Sequence, residues 1–183
     1  MMRIITGSAR GIKLKTLEGE ATRPTAERIK EAVFSRIQFD LEGRRVLDLF
    51  SGSGQLALEA LSRGAQEAVM IDKSSEAIKI IRENAEKTGL KDKCRIFQSD
   101  ALDYIRRNTG EQFDIVFLDP PYASGLYTPI LKALLSSNML KQTSIIVCES
   151  DKDIFSGEMK DKFEIIKQNR YGRIISTIVI PVL

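Results

Sequence analysis

The sequence predicts a doubly wound α/β fold: a mostly parallel sheet, helices on both faces, and an antiparallel hairpin at the end of the chain. Three observations carry that expectation. Apolar runs of strand length alternate with segments of helical periodicity along most of the 183 residues. Val46-Leu47-Asp48-Leu49-Phe50 reads as a buried parallel strand that passes through Ser51-Gly52-Ser53-Gly54 directly into a helix. Two apolar runs, 163–167 and 174–180, flank Arg170-Tyr171-Gly172-Arg173 as the arms of a hairpin.

In chain order, Arg3 to Ser8 and Gly11 to Lys15 read as a short hairpin around Ala9-Arg10, with the lysines of Ile12-Lys13-Leu14-Lys15 on one face and the aliphatics on the other. After a polar loop, Arg23-Pro24-Thr25 leads into a helix. Pro24 restrains its entry, Thr25 is the expected N-cap, and Ala26, Ile29, Val33 and Ile37 form the buried stripe, leaving Arg28 and Lys30 off it. Beyond the first core strand, Leu56, Ala57, Ala60 and Leu61 fall at helical spacing up to Gly64. Ala68 to Asp72 is a second strand, and 74–87 a helix capped by Ser74 or Ser75 and stopped at Gly89. Arg95 to Asp100 is a third strand, with a helix expected over 101–107. Phe113 to Asp119 is a fourth, Leu126 to Leu135 a helix, and Ser144 to Glu149 a fifth strand. The whole reads as one domain, 1–183, with an extension over 1–40 and a core over 41–183.

Composition is that of an ordinary globular chain, with 43% hydrophobic and 29% charged residues. No apolar run approaches membrane-spanning length and the N-terminus lacks a signal-peptide core, so a cytoplasmic location without membrane partners is expected. Histidine is absent and the two cysteines, Cys94 and Cys148, are far apart. A zinc site and a histidine general base are thereby disfavoured, and no metal is expected. Net charge is +3, but residues 1–36 hold eight Lys or Arg against four Glu. That asymmetry points to nucleic acid, with a solvated surface as the bland alternative.

The glycine turn leaves a helix start facing the space above the strand, where an anionic group is favoured. Gly52-x-Gly54-x-x-Ala57, with Asp72 following, also satisfies the dinucleotide fingerprint of a nicotinamide oxidoreductase. Asp48 tilts the reading away from it. A carboxylate there would repel a pyrophosphate and attract an amino acid's ammonium, so the ligand indicated is S-adenosylmethionine, with Asp72 on its ribose hydroxyls. Asp100, at another strand end, is either an acceptor for the adenine amine or the N-cap of the next helix, or both. Asp119-Pro120-Pro121-Tyr122 opens onto the same crevice. The Asp119 carboxylate and the Pro120 carbonyl would accept both hydrogens of a base's exocyclic amine, favouring a more pyramidal and nucleophilic nitrogen, while Tyr122 stacks on the base.

Asp119-Pro120-Pro121-Tyr122 resembles the (D/N)PP(Y/F) signature of amino-group methyltransferases. Further motifs are more specific: Arg3-Ile4-Ile5-x-Gly7-x-x-Arg10-Gly11, Arg23-Pro24-Thr25-x-x-Arg28-x-Lys30-Glu31-Ala32-x-Phe34, Leu47-Asp48-Leu49-Phe50-Ser51-Gly52-Ser53-Gly54 and Leu58-Glu59-Ala60-Leu61-Ser62-Arg63-Gly64-Ala65. Together they resemble the RsmD family over essentially the full length. That family methylates the exocyclic amine of a guanine in bacterial 16S ribosomal RNA. The resemblance implies a Rossmann-like class I S-adenosyl-L-methionine-dependent methyltransferase with a seven-stranded sheet in the order 3-2-1-4-5-7-6. It also implies Asp119, Pro120 and Tyr122 as base-site residues, and Asp48, Phe50, Gly52, Gly54, Asp72, Lys73, Asp100 and Ala101 as cofactor-site residues. The expected partner is ribosomal RNA or the small-subunit particle, gripped by Arg3, Arg10, Lys13, Arg23 and Arg28 of the basic segment. Lys15 belongs to the same segment, and no acid-rich stretch is evident to neutralise it. An adenine-amino methyltransferase acting on DNA or another RNA would keep every core motif. A non-catalytic RNA chaperone on the same fold would not need the cofactor pocket.

Overall fold

A computed structural model describes residues 2–19 and 24–183. Seven strands, β1 (Arg45–Asp48), β2 (Glu67–Asp72), β3 (Cys94–Gln98), β4 (Phe113–Leu118), β5 (Leu140–Ser150), β6 (Phe163–Tyr171) and β7 (Ile174–Pro181), form one sheet in the order β3-β2-β1-β4-β5-β7-β6. The first five run parallel, and β7 lies antiparallel between β5 and β6. This is the order the family resemblance implied. The helices are α1 (Pro24–Ile37), α2 (Gln55–Ser62), α3 (Ser75–Lys87), α4 (Ala101–Arg107) and α5 (Tyr127–Ser136).

Alternation along the strands builds two cores, which is why the central strands are apolar throughout. Val46, Ala68, Met70, Ile115 and Phe117 face α1, α2 and α3; Leu47, Val69, Ile71, Val116 and Leu118 face α4 and α5. The carboxyl ends of β1 to β4 consequently emerge together between the two layers, the place where open α/β sheets bind ligands.

Residues 2–15 form a hairpin-like arm held by a single antiparallel bridge, Arg3 to Lys13, with Ile4 N–H donating to the Ile12 carbonyl at 3.0 Å and Leu14 N–H to that of Met2 at 3.0 Å. Its apolar side chains Met2, Ile4 and Leu14 join the first core, while Lys13 and Lys15 are exposed. Gly7 has φ +92, and a Cβ there would collide with the Ser62 carbonyl, so only glycine lets the arm lie on α2.

Two local expectations are corrected. Helix α1 already begins at Pro24, so Thr25 lies inside the first turn rather than capping it. Lys30 lies in the interior, 3% exposed, with its ammonium 3.0 Å from Glu59 and donating to the Arg3 carbonyl at 2.8 Å. Glu59 is wholly buried and also accepts from Ile5 N–H (2.8 Å), Thr6 N–H (3.0 Å) and Arg63 Nε (2.8 Å). A polar residue on a helix's inner face survives because every donor and acceptor is matched.

Candidate active site

The turn after β1 is built from inside the sheet outward. Ser51 N–H donates to the Ile71 carbonyl at 3.0 Å and Gly54 N–H to that of Ser51 at 2.6 Å. Gly54 then adopts φ +80 as the residue preceding α2, and no side chain caps that helix start. Asp72, the last residue of β2, accepts from Gly52 N–H at 2.9 Å through one carboxylate oxygen and from Ser74 N–H at 2.9 Å through the other. A carboxylate offers about four acceptor positions, so two remain for a ligand.

These elements border a cavity of about 700 Å³, within the usual range for small-molecule sites. Phe50, Gly52, Asp72, Lys73, Asp100 and Ala101 line it on the β1–β3 side. Asp119, Pro120 and Tyr122 line it beyond β4, in the same hollow. Two expected residues stand behind the wall. Asp48 is 3% exposed at the end of β1, between Met70 and Phe117. A Cβ added to Gly54 would point at Met70 and Ile81, so its α-carbon faces the core. Of the glycine turn, Gly52 alone belongs to the lining. Asp100 caps α4, its Oδ1 accepting from Leu102 N–H (2.9 Å) and Asp103 N–H (3.3 Å), while also lining the cavity. The capping role is thus seen, and the cavity-facing position leaves the residue within reach of a ligand.

The Asp119–Tyr122 loop is stiffened by its two prolines and by Ser124 N–H, which donates to the Pro121 carbonyl at 2.9 Å. Tyr122 is 42% exposed and turned to the cavity; burial and the nearby Asp119 push its hydroxyl pKa up to about 12. The Tyr127 hydroxyl lies 2.6 Å from the Glu149 carbonyl and 3.4 Å from that of Pro120. One hydroxyl has one hydrogen, and the shorter contact takes it, so the Pro120 carbonyl retains its capacity to accept.

Four adjacent strands thus carry acids at their carboxyl ends: Asp72 closes β2, Asp48 closes β1, Asp119 follows β4 and Glu149 is the last residue but one of β5. Burial, then the charges of Asp119 and Asp72, raise Asp48 to about pKa 7. Burial and Asp119 raise Glu149 as well. Ionised, these acids would give the carboxyl edge of the sheet a negative potential.

Sequence reasoning did not single out Glu149, which stands outside the cavity lining but feels the charge of Asp119. It missed Leu17, Glu18 and Gly19, which wall the cavity from the N-terminal side. No motif marks these; a tertiary tie places them. Asn84 of α3 accepts from Lys15 N–H at 2.8 Å and donates to the carbonyls of Lys15 and Ser53, each at 2.9 Å.

The basic segment is less open than its composition indicates. Arg3, Arg10, Lys13, Lys15 and Arg28 are all exposed, but Arg3 pairs with Glu27 at 3.1 Å and Lys15 with Glu83 at 2.8 Å. Arg23 lies outside the described residues. Among the described residues no helix is long and apolar enough to cross a membrane.

Comparison with known proteins adds four likenesses. The model of a family described as conserved hypothetical protein 95 matches residues 2–180. YlbH of Bacillus subtilis (strain 168) is 34% identical over 175 residues, 93% of this chain and 94% of that one. Ribosomal RNA small subunit methyltransferase D of Escherichia coli (strain K12) is 33% identical over 152 residues, 82% of this chain and 75% of that one. The solved structure of yhhF from Escherichia coli superposes with TM-score 0.89 at 27% identity, covering 98% of this chain and 97% of that one.

Proposed function

The chain belongs to the conserved hypothetical protein 95 family, the RsmD family, and from that premise we propose that it methylates the exocyclic amine of a guanine in small-subunit ribosomal RNA. The relative's name supplies the RNA and the reaction; the observation that carries the reading is geometric. Asp72, which we assign to the ribose, and Asp119 with Pro120, which we assign to the amine, line one cavity. A cofactor site and a base site sharing a hollow are what a direct transfer requires.

The residues fit S-adenosyl-L-methionine. Asp72 would take the ribose hydroxyls on its two remaining acceptor positions, and Asp100 with Ala101 would meet the adenine. Lys73 and Phe50 would flank the nucleoside, and Gly52 would admit the methionine end. Asp48, behind that wall, would act through its field on the ammonium, with the dipole of α2 behind Gly54 favouring the carboxylate. When bound, the cofactor supplies a sulfonium methyl as electrophile.

The chain's own part is to present the nitrogen. Asp119 and the Pro120 carbonyl would accept the two N2 hydrogens, Tyr122 would hold the ring plane, and the N–H proton would depart along the hydrogen bond to Asp119 as the N–C bond forms and the methyl–sulfur bond breaks, its electron pair leaving with the thioether sulfur. The chain would work as a single unit over 1–183. Residues 1–40, with Arg3, Arg10, Lys13, Arg23 and Arg28, would face the RNA, and 41–183 would form the cofactor core. The shared packing of Met2, Ile4 and Leu14 with Val46 and Leu58 supports treating them together.

The test is incubation with labelled S-adenosylmethionine and small-subunit particles that lack rRNA modifications, followed by mapping of the label. Label on a guanine N2 is expected. Label on an adenine amine would overturn the base assignment and keep the chemistry; no transfer to RNA would remove the reading.

A further inference from the structure

A second hollow, of about 380 Å³, lies between α1 and the closing hairpin. Buried Val33 and Ile178 belong to its lining, and Arg36, Lys167, Asn169 and Tyr171 supply its polar groups. Lys167, Asn169 and Tyr171 alternate along β6 and so share the sheet face turned to α1. Across the pair they stand opposite Ile178, Ser176 and Ile174. Arg28, exposed and one helical turn before the lining residue Ala32, continues the cationic wall.

None of the lining residues is acidic. Neither Arg36 nor Lys167 pairs with a carboxylate among the described residues. Arg45 and Arg95, by contrast, are matched by Glu67 and Glu111.

The hollow also has a defined direction. Ser176 pairs with Glu149 and Ile175 with Ser150, so the start of β7 and the hairpin turn stand at the carboxyl edge of the sheet, on the side of the Asp119–Tyr122 loop. From β4 to β7 is two strand spacings, about 10 Å. A strand of RNA with one base in the active site would find this hollow within a few nucleotides.

We propose that the hollow between α1 and the hairpin docks the single-stranded RNA flanking the target base, with Arg36 and Lys167 on phosphates and Tyr171 as a stacking surface. An unpaired flank is the form of RNA that aromatic and cationic side chains read. The inference rests on the ribosomal RNA reading above and adds a second contact to it, separate from the basic arm.

The test compares wild type with the Arg36→Ala/Lys167→Ala double variant, and with Arg36→Lys/Lys167→Arg as a charge-conserving control. The substrate is the same unmodified small-subunit particle, assayed across salt concentrations. Removing two phosphate contacts to a single strand should flatten the log–log salt dependence of binding by about 1.4 and raise KM for the particle on the order of tenfold. Calorimetric affinity for S-adenosylmethionine should not move, and the charge-conserving pair should restore the slope. A wild-type slope in the alanine variant would overturn the proposal. So would a raised KM with an unchanged slope, which would assign the hollow to a protein of the particle. If wild type itself neither binds nor methylates the particle, the functional reading fails first, and that result is distinguishable.

Discussion

Asp72 serves two backbone donors, Gly52 N–H and Ser74 N–H, and holds two acceptor positions in reserve toward the cavity. Asp72→Ala should therefore weaken S-adenosylmethionine by about 1–3 kcal/mol, the usual loss for a hydrogen bond to a charged acceptor. Calorimetry on a folded variant with unchanged affinity would take Asp72 out of the ribose site. Asp119 is assigned to the amine instead, so Asp119→Ala should lose most turnover while keeping cofactor affinity; full activity would sink the mechanism. Asp48 brings a pH dependence. Its pKa is raised to about 7 in the fold, so the folded state binds this proton more tightly than the unfolded chain. Asp48 therefore makes the ligand-free protein less stable as pH rises from about 4 through about 7. A cationic ligand prefers the ionised form, so affinity should tighten over the same approach to pH 7, by at most about tenfold per unit. Titrations at pH 6 and pH 8 giving equal affinity would show that Asp48 and the ligand do not interact.

At the scale of elements, strand and helix boundaries were legible because burial writes itself as periodicity. The apolar run from Val46 to Phe50 contains a strand buried on both faces, and Ser74 accepts from Ala77 N–H at 3.3 Å as the expected cap of α3. The arm was legible only in part. Alternation in Ile12 to Lys15 revealed its two faces, but nothing local says that Glu59, 53 and 54 residues after Thr6 and Ile5, holds their backbone. For the same reason Lys30 read as a surface cation, since the partner that admits it to the interior lies on another helix. Burial lowers the Lys30 pKa and Glu59 acts against that fall, so the pair depends on its geometry. Lys30→Met should cost about 3 kcal/mol by stripping Glu59 of one of its partners. In a chain of this length that is a drop in Tm on the order of 10 °C. Thermal unfolding at the wild-type temperature would show that Arg63 and the two backbone N–H groups suffice.

Over the whole molecule, the sheet order followed from the family resemblance and not from spacing, because strand spacing does not say which edge each crossover takes. The cavity was half legible: acids at strand ends announce the β1–β4 side, whereas the Leu17–Gly19 wall exists only once α3 is present. Asn84 joins Lys15 to the Ser53 carbonyl across 69 and 31 residues. That junction also has a consequence in time. During synthesis the arm leaves the ribosome before the residues that hold it: Glu59 and Ser62 follow it by more than 50 residues and Asn84 by 69. Its loops close only once the helices that receive it have been made.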